Sequence, residues 1–243
     1  MNLVPRAASV LFIVALPVFL ISANIRFFAG EAWFYERGFR EHDAVASTGL
    51  SLSELDRSAG EIRDYFVNDA RYLNIIVVED GVAVPLYNEQ EVLHMADVKR
   101  VMQVLFRLNE VALAIVLATV AGRFLWAREG DLRRLARDTL YGLALGALAA
   151  GAIGILAIVG FDSAWDRFHE IVFTNDFWQL NPATDRLIQM FPESYWQESV
   201  VMIAVMVVTE GAGLAVLAGG YLWFTRTPGP AEVRSALPEP GPS

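Results

Sequence analysis

The chain has 243 residues, of which 55% are hydrophobic, a formal net charge of −9 and no cysteine. The hydrophobic fraction exceeds that of an ordinary soluble domain and indicates an integral membrane protein. The absence of cysteine excludes disulfides, thiolate metal ligands and a cysteine acyl-enzyme. The negative charge argues against nucleic acid as a partner, because neutralising phosphates requires clustered lysine and arginine.

Four apolar runs, at 7–28, 105–126, 139–160 and 199–224, are long enough to span a bilayer, which takes about 20 helical residues. We therefore predict a mainly α, integral membrane fold with four transmembrane helices and a mixed α/β extracytoplasmic cap made by the first and third loops. The predicted segments are transmembrane helices at 1–28, 101–127, 139–160 and 199–224, outer loops at 29–100 and 161–198, a basic cytoplasmic loop at 128–138 and a disordered tail at 225–243.

Positive charge predicts the orientation of the chain. Arginines are concentrated between the second and third spans, at Arg123, Arg128, Arg133, Arg134 and Arg137. Cytoplasmic loops carry such an excess, so this connection and both termini are predicted to be cytoplasmic. The two large connections would then face outward from the cytoplasmic membrane.

The first outer segment is predicted to contain both helix and strand. Apolar residues at helical spacing between 52 and 66, after a serine cap, predict an amphipathic helix. Residues 72–78 are typical of a strand, and 82–86 would pair with it as a hairpin. Asn88 is a candidate N-cap for a helix that continues through 91–100 into the second span.

Small residues in the third span predict close helix packing. Glycine occurs there at Gly142, Gly146, Gly151 and Gly154. Small residues at such spacing allow helix backbones to approach closely in a membrane. We therefore expect the third span to be central in the bundle.

Some ionisable residues lie well inside the predicted spans. Arg107 and Glu110 are in the second span and Glu210 is near the middle of the fourth. Groups at this depth usually face the bundle interior and pair with one another. We predict a structural Arg107–Glu110–Glu210 cluster. The functional alternative is a proton or ion path, which would make the chain a non-enzymatic transporter or assembly factor.

Two of the three histidines lie at matched depths near the outer ends of spans. His94 precedes the apolar part of the second span, and His169 follows the third span by a comparable distance. At a helical rise of ~1.5 Å per residue, both imidazoles lie near headgroup level on the outer face. Asp97 shares a helix face with His94, while Asn175 and Asp185 follow His169.

Paired imidazoles suit acyl transfer on an ester at the lipid surface. One neutral ring can take a proton from an attacking amine, water or hydroxyl, and the other can stabilise an oxyanion or protonate a leaving alkoxide. Asp97 or Asp185 would orient one ring. The competing chemistry is a metal-dependent hydrolase with two histidines and a carboxylate as ligands, although no HxH or HxxxH spacing occurs.

Two motifs carry a resemblance to a known family. They are LYNEQEVLHMADVK at 86–99 and FHEIVFTNDFWQLNPATDRLIQMFPESYW at 168–196. Together with the topology, they resemble the bacterial lipoprotein intramolecular transacylases, which are four-helix integral membrane proteins. The likeness covers nearly the whole chain before the tail.

The resemblance implies a reaction, a substrate and a set of site residues. Such enzymes move the sn-2 acyl chain of an S-diacylglyceryl cysteine onto the α-amine of the same lipoprotein cysteine, in contact with membrane lipid. It implies catalysis by His94 and His169, with no cofactor, no metal and no covalent enzyme intermediate. Orienting or substrate-binding roles would belong to Asn88, Asp97, Asn175, Trp178 and Asp185. Asn181 departs from the acidic residue expected before the proline, so either Asp185 takes the place of that acid or the substrate differs.

Overall fold

The computed structural model describes residues 3–125 and 129–226. Within them the elements follow in this order: α1 (Leu3–Ala29), α2 (Ala32–Glu41), α3 (Ala44–Thr48), α4 (Leu52–Tyr65), β1 (Ile76–Glu79), β2 (Val82–Pro85), α5 (Glu89–Leu125), α6 (Glu129–Val159), α7 (Phe161–Val172), α8 (Arg186–Met190) and α9 (Glu193–Phe224). By length and composition, α1, α5, α6 and α9 can each cross a membrane. The mainly helical fold with four candidate spans is therefore as predicted. The predicted tail lies outside the described residues, apart from Thr225 and Arg226.

Helix α5 begins with a reciprocal pair of hydrogen bonds. The Glu91 backbone N–H donates to Asn88 Oδ1 at 3.0 Å, and the Asn88 backbone N–H donates to Glu91 Oε2 at 2.7 Å. This capping box satisfies two helix-end donors. The predicted cap at Asn88 is confirmed, and the helix continues unbroken to Leu125.

Helix α6 begins earlier than the sequence predicted. It starts at Glu129, so residues 129–138 are helical and were wrongly predicted as a loop, while their cytoplasmic location stays a prediction. The physical reason is local composition, because leucine, arginine and alanine dominate this stretch and all favour helix. Arg133, in the first turns of α6, ties this helix to the end of α9 by donating to the Thr225 hydroxyl at 2.6 Å.

Among the four long helices, α1 and α6 are central, because each of them contacts the other three. A Cβ atom placed on Gly142 would lie 3.1 Å from the Ile13 carbonyl oxygen, and one on Gly146 would lie 3.0 Å from Pro17 Cβ. These two glycines therefore allow the close approach that was predicted. The prediction is wrong for Gly151 and Gly154, where a Cβ would meet nothing within 4 Å.

The predicted cluster of Arg107, Glu110 and Glu210 is wrong in its membership. Arg107 and Arg26 both donate to Glu110, at 3.0 and 3.1 Å, whereas Glu210 accepts from Asn24 at 2.9 Å. No hydrogen bond or ion pair within the described residues joins Glu210 to the other two. The reason is that α1, which supplies Asn24 and Arg26, contacts both α5 and α9. Arg107 also faces outward, with a side chain 83% exposed.

The segments between α1 and α5 and between α6 and α9 form a cap with its own apolar core. Phe39, Leu55, Ile62, Met190 and Tyr195 are among its buried members, so both loops contribute to one core. In the predicted hairpin, Ile76 pairs with Pro85 and Glu79 with Val82. The first strand is shorter than predicted, because regular pairing begins only at Ile76. Helices α2 and α3 were not predicted.

Gly38 is required where α2 crosses α9. A Cβ on this residue would clash with Tyr195 Cε2, and that ring is buried against Phe34 and Phe191. We expect Gly38→Ala to lower the free energy of unfolding by about 1–3 kcal/mol through overpacking. Thermal unfolding in detergent measures this change.

Gly60→Ala provides the matched control for that substitution. Gly60 lies within α4, and a Cβ there would meet nothing within 4 Å. Alanine should stabilise that helix by about 0.5–1 kcal/mol. Equal Tm values for the two alanine variants would show that the Tyr195 ring does not need the space at Gly38.

Candidate active site

The fold brings His94 of α5 and His169 of α7 to one place. Their ring centroids are 6.1 Å apart, and the two residues are only 7% and 6% exposed. Helix α7 follows α6 after a single residue, Gly160. This short connection keeps His169 close to the end of the third span, at the level where α5 presents His94.

Aromatic side chains enclose His169. Trp178 stacks on its ring at 5.0 Å between centroids, and Trp165 lies edge-on at 4.5 Å. Phe168 and Phe173 complete the enclosure at 5.3 and 5.5 Å. This arrangement removes water from the ring while leaving aromatic faces, which favour a nearby cation.

One hydrogen bond fixes the tautomer of His169. Its Nδ1 lies 2.8 Å from the backbone carbonyl oxygen of Trp165, one helical turn earlier in α7. A carbonyl oxygen only accepts, so Nδ1 carries the hydrogen and donates it. In the neutral ring, the lone pair is therefore on Nε2.

The surroundings also keep His169 neutral. Burial lowers the pKa of its ring below the ordinary value of 6.5, and it outweighs the Trp165 carbonyl and the Asp166 carboxylate, which raise the pKa. A buried imidazole resists protonation because its charged form loses more hydration. At neutral pH the ring therefore offers an unprotonated Nε2.

His94 shares one aromatic neighbour with His169. Its ring meets Phe173 edge-on at 5.2 Å, so this phenylalanine contacts both histidines. The buried His94 Nδ1 has no hydrogen-bond partner among the described residues. Buried polar atoms are rarely left unpaired. This nitrogen is therefore a group that a bound substrate could engage.

Asp97 holds a loop and does not orient a ring. Its Oδ2 accepts from Asn175 Nδ2 at 2.8 Å, and its Oδ1 pairs with Arg100. Both oxygens are thus occupied away from the histidines. The Asp97–Asn175 bond ties the segment after α7 to α5, next to His94.

Asp185 has a similar structural part. Its Oδ1 accepts from Asn88 Nδ2 at 3.0 Å, and its Oδ2 accepts from the Asn181 backbone N–H at 2.7 Å. Among the described residues, neither Asp97 nor Asp185 is hydrogen-bonded to a histidine ring. The expectation that one of them orients a histidine is therefore wrong. The backbone carbonyl of Trp165 supplies that orientation for His169 instead.

Two further residues of α5 hold the loop that carries Trp178, and sequence reasoning gave neither a role at the site. Gln90 Nε2 donates to the carbonyl oxygens of Gln179 and Phe177, at 3.0 and 3.3 Å. Glu91 Oε1 accepts from the Leu187 backbone N–H at 2.6 Å. The three-residue spacing of Asn88 and Glu91 could have predicted this role for Glu91. One carboxylate oxygen of a capping-box acid accepts from the N-cap residue, so the other oxygen is left to accept from a different segment.

A polar cavity of about 580 Å³ lies beside the histidines without including them. Asp97 and Asn175 form part of its wall. Within residues 3–125 and 129–226, no three His, Asp or Glu side chains converge closely enough to hold a metal ion.

The sequence matches the family model of the lipoprotein intramolecular transacylase Lit over residues 10–196. The chain belongs to the Lit family. Solved structures of the membrane integral lipoprotein intramolecular transacylase Lit from Bacillus cereus share its fold. One has a TM-score of 0.70 at 15% identity and covers 90% of this chain and 94% of its own. With its four apolar helices, this Lit-family chain is a multi-pass membrane protein.

Two other Bacillus cereus Lit structures are of variants in which one histidine is replaced, by alanine in one and by arginine in the other. Their TM-scores are 0.72 and 0.71, again at 15% identity. An Aquifex aeolicus (strain VF5) protein described as uncharacterized is 28% identical over 120 residues. That match spans 49% of this chain and 50% of the relative, about half the length of each.

Proposed function

We propose that this Lit-family chain moves the sn-2 acyl chain of an S-diacylglyceryl cysteine onto the α-amine of the same lipoprotein cysteine. The product is a lyso-form lipoprotein, made at the outer face of the cytoplasmic membrane. The observation that carries the proposal is the pairing of His94 and His169, with ring centroids 6.1 Å apart. Family membership supports the reaction class, and the pair supports acid–base catalysis.

His169 is the general base of the proposed reaction. Its Nδ1–H is engaged with the Trp165 carbonyl oxygen, so Nε2 is the atom that accepts a proton from the cysteine nitrogen. As that nitrogen attacks the ester carbonyl, a C–N bond forms and the carbonyl oxygen becomes an oxyanion. The face of Trp178, which stacks on the ring, stabilises the imidazolium that results.

His94 completes the proton transfer. An N–H of its ring stabilises the oxyanion, and the tetrahedral intermediate then collapses with cleavage of the bond between the acyl carbon and the glycerol oxygen. The departing glycerol oxygen takes up one proton from the histidine pair. Proton transfer by a positioned side chain contributes ~10²–10⁴-fold to such a step.

The reaction needs no nucleophile from the protein. The α-amine and the ester belong to one substrate molecule, so proximity is already supplied. The chain has no cysteine, which agrees with direct transfer without an acyl-enzyme. The enzyme then supplies only proton transfer, oxyanion stabilisation and a surface that orients the two reacting groups.

Mass spectrometry of a reporter lipoprotein tests the proposal. Purified chain is incubated with a diacylated reporter in detergent or vesicles, and the N-terminal peptide is fragmented. We expect N-acyl, S-monoacylglyceryl cysteine of unchanged total mass. A reporter that keeps both acyl chains on glycerol, or loses one as free fatty acid, would contradict the proposal.

The lowered pKa of His169 predicts its response to acid. The base must be neutral, so its function is complete above the ordinary pKa of 6.5 and is lost as the pH falls through the lowered value. We expect NMR titration of the histidine ring protons to show His169 half-protonated below pH 6.5. A His169 midpoint at or above 6.5 would contradict this environment.

A further inference from the structure

The polar cavity beside the histidines has no part in the acid–base chemistry. On one side it is lined by a stripe of α5 that includes Leu93, Ala96, Arg100 and Gln103, and on the other by residues 68–72. Its volume of about 580 Å³ is within the usual range of ligand sites, about 300–1,000 Å³. The cavity is therefore large enough for a specific ligand.

The cavity begins where the histidine site ends. Its wall contains the Asp97–Asn175 hydrogen bond of 2.8 Å. Asp97 is one helical turn after His94, and Asn175 is two residues after Phe173, which contacts both histidine rings. A substrate whose reacting centre lies at the histidines can thus extend directly into this space.

The lining is chemically unsuited to an acyl chain. Three cationic side chains, two carboxylates and three carboxamides surround the cavity, in this order: Arg71, Lys99, Arg100, Asp69, Asp97, Asn68, Gln103 and Asn175. A hydrocarbon tail would displace water from the charged and amide groups that have no hydrogen-bond partner within the described part of the protein, such as Arg71 and Gln103. Of the parts of a lipoprotein, only its polypeptide offers both donors and acceptors over such a length.

We infer that this cavity receives the polypeptide segment immediately after the modified cysteine, and this inference rests on the proposed function. Arg71 stacks on Tyr72 at 5.0 Å and makes no ion pair with any described residue. Gln103 is exposed and has no hydrogen-bond partner in the described part of the chain. Both side chains can therefore donate to peptide carbonyls or to an acidic side chain.

Lys99 has a different part in the same cavity. Its ammonium donates to Asn68 Oδ1 at 2.9 Å and to the Ala70 carbonyl oxygen at 2.7 Å, and it lies 4.2 Å from the Tyr65 ring centre. These contacts fix residues 68–72 against α5. Lys99 thus positions the wall that carries Arg71.

Two substrates of different length test the inference. One is a diacylated lipopeptide with several residues after the cysteine, and the other is S-diacylglyceryl cysteine amide, which has no peptide. We expect the double variant Arg71→Ser, Gln103→Ala to lower kcat/KM for the lipopeptide roughly tenfold, the effect of losing about one charge-assisted hydrogen bond. Conversion of the cysteine amide should be unchanged, which also shows that the variant is folded.

Arg63→Ser is the matched control, because Arg63 is a cap arginine outside the cavity that pairs with Asp64. Arg63→Ser should leave kcat/KM unchanged for both substrates. Equal kcat/KM for the lipopeptide in wild type and double variant would overturn the inference alone. An equal loss of kcat/KM for both substrates would also overturn it, because the cavity would then bind the S-diacylglyceryl cysteine that the two substrates share. Failure of the wild type on both substrates would instead overturn the proposed function.

Discussion

His169→Ala should lower N-acylation of a reporter lipoprotein by at least ~10²-fold, the smallest contribution expected of a positioned general base. Alanine removes the Nε2 lone pair, which is the proton acceptor of the proposed base. His169 is only 6% exposed, so bulk solvent has little access to take over the role of the base. The initial rate of product formation, followed by mass spectrometry, measures the loss.

His94→Ala should cause a loss of similar size, because the oxyanion and the departing glycerol oxygen would lack a donor. His42→Gln is the control within the same chain. His42 lies between α2 and α9, where Nδ1 is 3.0 Å from Ser194 Oγ and Nε2 is 3.5 Å from Glu198. That variant should keep most of the wild-type rate. More than a tenth of the wild-type rate in either site variant would contradict the assigned roles.

Glu91→Leu should be the most damaging change in the cap outside the histidine pair. Glu91 is 1% exposed, and its carboxylate accepts from the backbone N–H groups of Asn88 at 2.7 Å and Leu187 at 2.6 Å. Leucine leaves the Leu187 N–H buried and unpaired, at ~1–3 kcal/mol, and also removes the partner of the Asn88 N–H at the start of the helix. We expect the free energy of unfolding to fall by about 3 kcal/mol, measured by denaturation in detergent.

The same variant should also lose acyl transfer, because Glu91 holds α8, which directly follows the loop that carries Trp178 against His169. Glu89→Leu is the matched control, since Glu89 lies in the same first turn of α5 and is exposed. It should unfold close to wild type and keep its activity. If the two leucine variants unfolded at the same denaturant concentration, the buried carboxylate would have no such structural part.

Local chemistry made much of this fold predictable from sequence. The four spans follow from apolar length alone, and the start of α5 follows from Asn88 and Glu91, whose side chains satisfy a helix end within a few residues. The shared level of His94 and His169 followed from counting helical rise. None of these inferences required knowledge of which helices touch.

Features that depend on helix packing could not be read in the same way. Glu210 was expected near Arg107, but α1 lies against both helices and supplies Asn24 as its partner. Asp97 was expected to orient a ring, and Asn175, from a distant segment, takes its oxygen. Carboxylates near a histidine in sequence are equally suited to holding a loop, and only tertiary contacts decide between the two.

The orientation of His169 was hidden for another reason. Its partner is a backbone carbonyl, that of Trp165, and a backbone group has no signature in the sequence. The bond forms because α7 is helical up to His169, which places that carbonyl one turn below the ring. Trp165 lies against the ring through the same periodicity, and the adjacent Phe168 contacts the ring as well.

An isotope crossover experiment tests most directly the central claim that the acyl chain moves within one lipoprotein molecule, from ester to amine, without an enzyme-bound intermediate. Two diacylated reporters with different peptides are mixed, one carrying deuterated acyl chains, and the products are analysed by mass spectrometry. Every N-acyl group should have the isotope content of the glyceryl chains of its own molecule. Deuterated acyl groups on the peptide of the unlabelled reporter would contradict it.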